Sequence, residues 1–421
     1  MNNDDLENDE EYNFNDNKGF KLSEVIIIVI ITCSFCLFAG ISYGKYKYSD
    51  TVNINNLSDD KDDELNNFIK QYKHIINNYY DSDKIDEKKL LKSALQSVLT
   101  ELGIDDAYSM YMDDDEYNQL NINLNGSYKG IGIRAYKEKD NDNIIVADII
   151  PNSPASNSDI KAGDIILSID GNDTKKMETN EFSQYVLKSK EKNFVLKLKR
   201  GDKEFTVKIE KSSIELESVT SKIIEKGNKK IGYISMSIFA ANTYTQFKKE
   251  LSGLEDKKID SLIIDLRSNT GGHLTEVTKI LNLFLEKKKV IYQLQKNNEK
   301  VKYYSKGKED KKYPIVFLGN EGTASASELF IICLKENLGA KLVGMKTYGK
   351  GTVQELVDLS NGDQYKITTK KWLSPKGNWI NDTKGIEPDI EVQLDTKFLE
   401  SPTDENDNQL QEAIKLITKN K

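Results

Sequence analysis

Twenty consecutive uncharged residues near the amino terminus restrict this chain more than any other feature of its sequence. The run occupies residues 25–44, between Glu24 and Lys45, and reads VIIIVIITCSFCLFAGISYG. At about 1.5 Å per helical residue it spans roughly 30 Å, the thickness of a bilayer core. A cleaved signal peptide usually has an apolar region of about 7–15 residues behind a basic start, whereas this run is longer and follows acidic residues. The sequence therefore predicts an uncleaved transmembrane anchor over residues 21–44, with a cleaved signal peptide or a buried core helix as the alternatives.

Charge is distributed unevenly around this run. The 421-residue chain has a formal net charge of −8, and its first 20 residues hold seven acidic side chains against one lysine. The body of the protein is therefore almost neutral, and no basic surface favours nucleic acid as a partner. Residues 1–20 are predicted to be a solvated acidic tail, and the polar, aperiodic residues 45–62 a linker. The three cysteines are not spaced as a disulfide framework, and no His or Cys spacing typical of a metal site is present.

Hydrophobic periodicity predicts two folded regions after the linker. Residues 63–125 carry apolar side chains at helical spacing, interrupted at 81–86, which predicts two helices. Residues 126–212 contain four short apolar strands separated by turns, with a helix over 179–188. The first region is interpreted as a helical packing module and the second as a separate β domain.

Strands and helices alternate through residues 213–399, which is typical of an α/β layer. An amphipathic helix is predicted at 407–418, within a closing segment of residues 400–421. The expected fold class is thus a multidomain α/β (α+β) protein with a β-barrel-like domain ahead of its α/β core.

Two glycine-containing patterns in residues 126–212 resemble those of PDZ domains. The first is a Pro-Asn-Ser-Pro-Ala segment at 151–155, followed by the strand start Gly-Asp-Ile-Ile at 163–166. The second is a short loop made of Gly130, Ile131, Gly132 and Ile133. Glycines let backbone N–H groups converge on a carboxylate, and the adjacent strand edge accepts a peptide as an added strand. The resemblance implies a PDZ domain that binds protein tails through this loop, and a hairpin with glycine turns and no ligand is the alternative.

Three further patterns carry candidate chemistry. An apolar strand runs into Gly271 and Gly272, two adjacent glycines that free the backbone to aim N–H groups into a site. Ser325 stands among small residues between an apolar strand and a helix, where a serine is exposed near a helix N-terminus. Lys350 lies between two glycines at the start of a strand, and Gln354 lies on the same face of that strand. Taken singly, the three patterns also fit a tight turn, a helix N-cap and a surface lysine.

Taken in order, these patterns resemble the C-terminal processing (tail-specific) proteases, the Ser/Lys peptidases of family S41. The matching motifs are D-L-R-x-N-x-G-G at 265–272, the small-residue serine motif at 323–328, G-K-G-T-V-Q at 349–354, W-L-S-P at 372–375, G-I-E-P-D at 385–389 and D-N-Q-L at 407–410. The resemblance covers nearly all of residues 64–418 and implies an S41 peptidase core over 213–399. Thr323 replaces the family's usual first serine, Thr270 replaces a common proline, and DDAYS at 105–109 replaces a more usual D-P-x-S pattern.

The resemblance implies a role for each matching residue. Ser325 is the expected nucleophile, Lys350 its general base, and Gln354 the partner that orients the lysine. A free lysine has a pKa of about 10.4 and is protonated at pH 7, but burial disfavours the charged form and lowers that pKa. The oxyanion hole is expected from the backbone amide of Ala326 and from one of the paired glycines, Gly271 or Gly272. This route needs no metal or organic cofactor.

Alternatives remain for the base and for the function. Histidine is the usual base of serine proteases, and His273 directly follows the glycine pair, whereas His74 is distant in sequence. An inactive membrane scaffold that binds tails through its PDZ domain, or a lipid- or retinoid-binding relative of the same fold, are the alternative functions. Neither requires the set of Ser325, Lys350 and Gln354.

The resemblance also implies a place of action and a set of partners. Such enzymes work outside the cytoplasm, which predicts a single-pass cell-membrane protein with a cytoplasmic acidic tail and an extracytoplasmic catalytic domain. Its expected partners are protein or peptide substrates with accessible C-terminal tails. A homodimer is a further expectation, with the N-terminal helices and the 407–418 helix as its contact elements.

Overall fold

The computed structural model describes residues 63–102, 106–359 and 363–419. The predicted acidic tail, transmembrane anchor and linker all fall in residues 1–62, outside this described part. No helix within the described ranges combines the length and apolar character that crossing a membrane requires. The chain divides into two compact units, one ending at Glu87 and one beginning at Lys88.

The two predicted N-terminal helices are confirmed. Helix α1 spans Asp63–Asn78 and helix α2 spans Glu87–Glu101, and a short 3₁₀ turn at Ser82–Lys84 occupies the predicted break. On α1, the side chains of Phe68 and Ile75 are 56% and 63% exposed. These apolar side chains recur at helical spacing along α1 but are therefore not buried.

A small β domain follows these helices. A strand and a helix precede it, β1 (Met110–Met112) and α3 (Asp114–Asn125), and its own elements are β2 (Ser127–Gly130), β3 (Ile133–Lys137), β4 (Ile144–Ile149), β5 (Ile165–Ile169), β6 (Asn172–Asp173), α4 (Thr179–Lys188), β7 (Asn193–Arg200), β8 (Lys203–Glu210) and β9 (Ser212–Glu215). Its main sheet is antiparallel with the order β3-β4-β5-β7-β8, and β2 pairs with β9 as a separate ribbon where the chain enters and leaves the domain. Strand β7 shows why the sheet forms here, because Phe194, Leu196 and Leu198 alternate with exposed residues and are fully buried. The four predicted strands and the predicted helix are confirmed.

The C-terminal half contains two sheets with helices packed against them. Strands alternate with helices over much of this half, as the sequence predicts. The elements are β10 (Val219–Lys226), β11 (Lys229–Met236), α5 (Thr243–Asp256), β12 (Ser261–Asp265), α6 (Leu274–Leu281), β13 (Val290–Lys296), β14 (Glu299–Tyr304), β15 (Ile315–Gly319), α7 (Ala326–Leu338), β16 (Lys341–Gly344), β17 (Thr352–Asp358), β18 (Gln364–Leu373), β19 (Ile390–Glu391), α8 (Thr396–Glu400) and α9 (Asn408–Lys419).

The first sheet has six strands in the order β10-β11-β12-β15-β16-β19, parallel except for the β10–β11 pair. Strand β12 lies in its middle and is buried along its whole length, as expected for a parallel strand covered on both faces. Leu262 and Ile264 pack with helices α5 to α7, whereas Ile263 packs with α9 on the opposite face. The functional end of this sheet is its carboxyl edge, where β12 and β15 both run into loops.

The second sheet was not predicted. It joins β1, β18, β13 and β14 in that order, with β17 also paired to β18 over residues 364–371, and all of its pairs are antiparallel. Strand β18 is the longest strand of this sheet, at ten residues, and carries three lysines and two threonines, so no hydrophobic alternation marks it. It links β1, which precedes the β domain in sequence, to β17 of the C-terminal half, because both strands pair with residues 364–366.

The apolar face of α9 is covered by the chain itself. Leu410, Ala413, Ile414 and Ile417 are buried against the first sheet. This apolar face is therefore not available for a dimer contact, and the expected homodimer stays a prediction.

A buried ion cluster links α9 to the carboxyl end of β12. Arg267 donates from Nη1 and Nη2 to the Asp407 carboxylate at 3.0 and 2.7 Å, and from Nε to Asp265 at 3.0 Å. Asp407 also accepts from the backbone N–H of Leu410 at 2.9 Å, so it caps α9. The hydrogen bonds and charges of the two carboxylates outweigh burial and hold the pKa of the Arg267 guanidinium above its ordinary value. The motifs D-L-R at 265–267 and D-N-Q-L at 407–410 are thus two halves of one structural contact.

Breaking this cluster is expected to destabilise the C-terminal half. Asp407→Ala leaves part of the buried Arg267 guanidinium unpaired and removes the cap of α9, which should lower the free energy of unfolding by about 3 kcal/mol. The matched control is Asp404→Ala, because Asp404 pairs with the exposed Lys222 and should cost less than about 1 kcal/mol. Urea unfolding of both variants measures the difference, and equal midpoints would contradict the structural role of Asp407.

Candidate active site

The glycine pair follows the carboxyl end of β12 in a loop that only glycine can occupy. Gly271 and Gly272 have φ angles of 101° and 137°, and a Cβ on Gly272 would lie 2.3 Å from the carbonyl oxygen of Phe239. The side chain of Asn269 fixes this loop, since its Nδ2 donates to the Met236 carbonyl at 2.9 Å and its Oδ1 accepts from Gly271 N–H at 3.0 Å. The N–H of Gly271 is therefore engaged, whereas that of Gly272 has no hydrogen bond within the described ranges.

Ser325 occupies a strained turn between β15 and α7. Its φ and ψ angles are 56° and −117°, a conformation that a non-glycine residue rarely adopts. Neighbouring residues hold the turn against the glycine loop, because Ala324 N–H and the Ser327 hydroxyl both donate to the Asn269 carbonyl, at 3.0 and 2.9 Å. Ser325 is partly exposed while Ser327 is fully buried, so Ser325 is the accessible serine of the two.

Two residues that line the same cavity as Ser325 have unpaired backbone N–H groups. Ala326 is the first residue of α7, where an N–H has no partner within its own helix. A Cβ placed on Gly271 would lie 2.9 Å from both the Ala326 nitrogen and the Ser325 Cβ, which shows how closely the two loops approach. Of the three residues predicted for the oxyanion site, Ala326 and Gly272 have free N–H groups in the described chain, whereas that of Gly271 is engaged.

A buried carboxylate joins the serine turn to the lysine loop. Glu328 is fully buried and accepts from Ser325 N–H at 2.8 Å, Lys350 N–H at 2.8 Å, Gly349 N–H at 2.6 Å and the Thr347 hydroxyl at 2.6 Å. Burial raises the pKa of Glu328, and these hydrogen bonds partly oppose that increase. This role of Glu328 was not predicted from the sequence, although its position three residues after Ser325 is the spacing of a helix capping box.

Both tryptophans hold the backbone around Lys350. Trp372 Nε1 donates to the Lys350 carbonyl and Trp379 Nε1 donates to the Gly351 carbonyl, each at 2.9 Å. The Lys350 side chain extends from this loop and is half-buried, with Nζ 4.4 Å from the centre of the Tyr108 ring. Trp372 of the W-L-S-P motif therefore stabilises the backbone of the loop that carries Lys350.

The environment of Lys350 disfavours its charge. Burial first, and then the positive charge of Lys366, lower its pKa to about 8 from the usual 10.5. The carboxylates of Asp106 and Glu328 act in the opposite direction but do not cancel this effect. A substantial neutral fraction of this amine is thus present near neutral pH, as a general base requires.

Gln354 lies on β17, next to a bulge between Val353 and Gln354. Its amide nitrogen donates to the hydroxyls of Thr352 and Thr368 at 2.9 and 3.0 Å. In the part of the chain that the structure describes, Lys350 Nζ has no hydrogen bond to Gln354 or to Ser325.

One cavity of about 580 Å³ is lined by the six residues predicted for catalysis and the oxyanion site. Apolar side chains contribute much of its remaining wall: Leu120, Leu124, Ile238, Leu274, Leu329, Val353, Leu356 and Trp372. His273 also lines it, but its Nε2 lies 3.0 Å from the Leu124 carbonyl and makes no described hydrogen bond to Ser325. His74 is on α1, in the other compact unit. The described residues contain no cluster of side chains that would hold a metal ion.

The predicted peptide-binding loop lies apart from this cavity, at the start of β3. Gly132 has a φ of 85°, and a Cβ there would lie 2.0 Å from the Ser153 hydroxyl oxygen, so glycine is required. The N–H groups of Ile131 and Gly132 make no backbone hydrogen bond in the described chain. Strand β3, which begins at Ile133, is an edge strand of its sheet. Free donors beside a free edge are what addition of a peptide strand uses.

Comparison with known proteins identifies three matching sequence families. Peptidase family S41 matches residues 230–392, the PDZ domain matches residues 119–199, and the activating protease CtpB N-terminal domain matches residues 30–116. These ranges place a PDZ domain on the small β domain and a peptidase core on the two C-terminal sheets.

Curated relatives match over most of their length. The carboxy-terminal processing protease CtpB of Bacillus subtilis (strain 168) is 34% identical over 364 residues, covering 86% of this chain and 73% of that protein. CtpA of the same organism is 35% identical, covering 80% and 70% respectively. A probable CtpA-like serine protease of Staphylococcus aureus (strain MSSA476) is 32% identical, covering 88% and 71%. Among solved structures, the photosystem II D1 C-terminal processing protease aligns with a TM-score of 0.46 at 22% identity, covering 80% of this chain and 96% of that one.

Proposed function

The chain belongs to the carboxy-terminal processing proteases of peptidase family S41, and on that premise we propose that Ser325 and Lys350 form its catalytic dyad, with Gln354 as the orienting partner. The enzyme is a serine protease with a PDZ domain. One observation carries the assignment of the dyad. A strained, accessible serine and a lysine of lowered pKa line the same cavity as two free backbone N–H groups.

In the proposed mechanism, the neutral amine of Lys350 takes the proton of the Ser325 hydroxyl as its oxygen attacks a peptide carbonyl. The N–H groups of Ala326 and Gly272 stabilise the negative oxygen of the tetrahedral intermediate. The intermediate collapses to an acyl-enzyme, and the leaving amine takes the proton from Lys350. Lys350 then takes a proton from a water molecule as its oxygen attacks the ester. The ester bond breaks, the Ser325 oxygen takes that proton back from Lys350, and the new C-terminal carboxylate is released.

The resting position of Lys350 requires a movement before this chemistry. Its Nζ lies over the Tyr108 ring and has no described hydrogen bond to Ser325. The side chain therefore has to rotate toward Ser325, and the carbonyl oxygen of Gln354 is the group we assign to receiving it there. A flexible lysine side chain makes this change without moving the backbone, which Glu328 holds in place.

We assign substrate selection to the PDZ domain. The loop from Gly130 to Ile133 offers free N–H groups for a terminal carboxylate, and β3 offers an edge for the preceding residues. The ribbon of β2 and β9 connects this domain to α3, whose Leu124 forms part of the cavity wall and contacts His273. This connection supports a role for the domain in controlling access to the cavity.

One experiment tests both the activity and the selection of tails. The full chain in detergent is incubated with two versions of one unstructured protein, identical except that the apolar C-terminus of one is amidated. We expect Ser325-dependent cleavage of both, with the free carboxylate version cleaved at least about tenfold faster because its carboxylate meets the Gly130–Ile133 loop. Equal rates would refute the role of the PDZ loop, and no cleavage of either would refute the protease assignment.

We also propose that residues 21–44 anchor the enzyme in the cell membrane, with the catalytic domain outside the cytoplasm. The twenty uncharged residues support the anchor, and homodimer contacts are assigned to the exposed apolar side chains of α1 and α2. Flotation of the full chain with lipid vesicles, compared with residues 63–421, checks the anchor, and a truncated protein that floats equally well would contradict it.

A further inference from the structure

A short segment that precedes the PDZ domain lies against the peptidase sheet. Within residues 106–109, Asp106 accepts from the Thr368 hydroxyl at 2.8 Å and from Tyr108 N–H at 3.1 Å. The Ser109 hydroxyl donates to the same carboxylate and accepts from Thr368 N–H at 2.9 Å. Two residues of this segment therefore bind one threonine of β18, 262 and 259 positions further along the chain.

The charge of Asp106 fixes the direction of the hydrogen bonds that follow. An ionised carboxylate only accepts, so the Thr368 hydroxyl must give its proton to Asp106 and can only accept from Gln354. The amide nitrogen of Gln354 is thereby turned toward Thr368 and Thr352, and its carbonyl oxygen becomes the end left without a hydrogen bond in the described chain. Burial raises the pKa of Asp106, but hydrogen bonds from Ser109, Thr368 and the Tyr108 backbone hold it below its ordinary value.

The same segment also contacts the lysine. The ring of Tyr108 lies against Lys350 Nζ and 6.5 Å from the ring of Tyr348. The charged and titratable groups that face Lys350 are Asp106 and Tyr108 from this segment, Lys366 from β18 and Glu328 from α7. The segment thus contacts Lys350, the proposed base, directly and Gln354, its proposed orienting partner, through Thr368.

We propose that Asp106 is a positioning residue, which acts through the Thr368 hydroxyl to hold the carbonyl oxygen of Gln354 free for Lys350. The inference rests on the proposed roles of Ser325, Lys350 and Gln354. It assigns part of the catalytic arrangement to residues outside the matched peptidase family region of 230–392. A carboxylate that only stabilised its own turn would not need to reach Thr368.

Replacing Thr368 tests the chain of hydrogen bonds from Asp106 through Thr368 to Gln354, which we call the relay. Thr368→Val keeps the shape but removes the hydroxyl, so the Gln354 amide is free to turn over, and kcat should fall about 10- to 100-fold with KM changed less than about twofold. Thr368→Ser keeps the hydroxyl and should retain activity within about threefold. Loss of activity in both variants, or in neither, would overturn the proposal.

A double substitution separates positioning from simple stability. In a Gln354→Ala background, Thr368→Val should have no further effect on kcat, because the relay then has nothing to orient. Additive losses would show that Thr368 acts on something other than Gln354 and would overturn the inference. Hydrolysis that survives Ser325→Ala would instead refute the proposed function, and the inference would fail with it.

Asp106→Asn provides a second, independent measurement. The amide introduced at this position can donate as well as accept, so the Thr368 hydroxyl no longer has a fixed hydrogen-bond direction. We therefore expect kcat to fall about tenfold. The substitution also removes a negative charge that raises the pKa of Lys350, so the acidic limb of the kcat/KM profile should move to lower pH. The matched control is Asp395→Asn, because Asp395 also accepts from the backbone N–H two residues ahead, at 3.0 Å, but is not among the groups that shift the pKa of Lys350. An unchanged profile for Asp106→Asn, or the same shift in both variants, would overturn the proposal.

Discussion

Replacing Ser325 with alanine is expected to lower kcat for peptide hydrolysis by the order of 10⁶-fold, as removal of the nucleophile does in other serine proteases. The variant should still fold, because Ser325 contributes its backbone N–H to Glu328 and that contact survives the substitution. Substrate binding should persist, since the apolar wall of the cavity and the PDZ loop are unchanged. Hydrolysis of an unstructured protein, measured beside covalent labelling by a fluorophosphonate, checks both the activity and the reactive oxygen.

The matched control is Ser327→Ala, two residues away in the same motif. Ser327 is fully buried, and its hydroxyl donates to the Asn269 carbonyl at 2.9 Å. Losing that hydrogen bond should cost about 1 kcal/mol of stability and less than about tenfold in kcat, because Ser327 faces the glycine loop rather than substrate. If Ser327→Ala abolished hydrolysis and Ser325→Ala did not, the nucleophile would be wrongly assigned.

The sequence identified the strands whose environment is simple. Strand β12 is apolar and buried on both faces, and β7 alternates strictly, so the pattern of side chains reports each environment directly. Strand β18 has no such pattern. Its Lys366 lines the cavity and its Thr368 binds Asp106. Polar residues therefore occupy positions that are apolar in strands such as β12 and β7. The second sheet was missed because it is built around this functional strand.

The candidate site was predicted in part for the same reason. Ser325, Lys350 and Gln354 lie in local motifs, and a motif can be read without knowing the fold. Between the two candidate glycines the sequence had no means to choose, and the engaged N–H of Gly271 is visible only in three dimensions. Asp106 and Thr368 are separated by 262 positions, and no local spacing predicts such a contact.

Removing the amine of Lys350 is the second substitution with a large expected effect. Lys350→Met keeps most of the side-chain volume but leaves Ser325 without a base, which should lower kcat by about 10²- to 10⁴-fold. Lys350→Arg should be equally impaired, because a guanidinium keeps the positive charge but is not deprotonated in proteins. The matched control is Lys346→Met, since Lys346 is paired with Glu387 at 2.6 Å and is not part of the cavity wall. Its activity should match the wild type.

The pH profile gives the sign of the lysine's role. A base works in its deprotonated form, so with a pKa of about 8 roughly one tenth of Lys350 is active at pH 7. The wild-type kcat/KM should therefore rise about tenfold for each unit of pH below that pKa and level off above it, whereas an ordinary lysine would still be gaining activity at pH 10. Lys350→Met should lose this dependence along with its activity. A wild-type profile that instead levelled off near pH 6.5, or a Lys350→Met enzyme with full activity, would assign the proton transfer to an imidazole, and His273 is the one within this cavity.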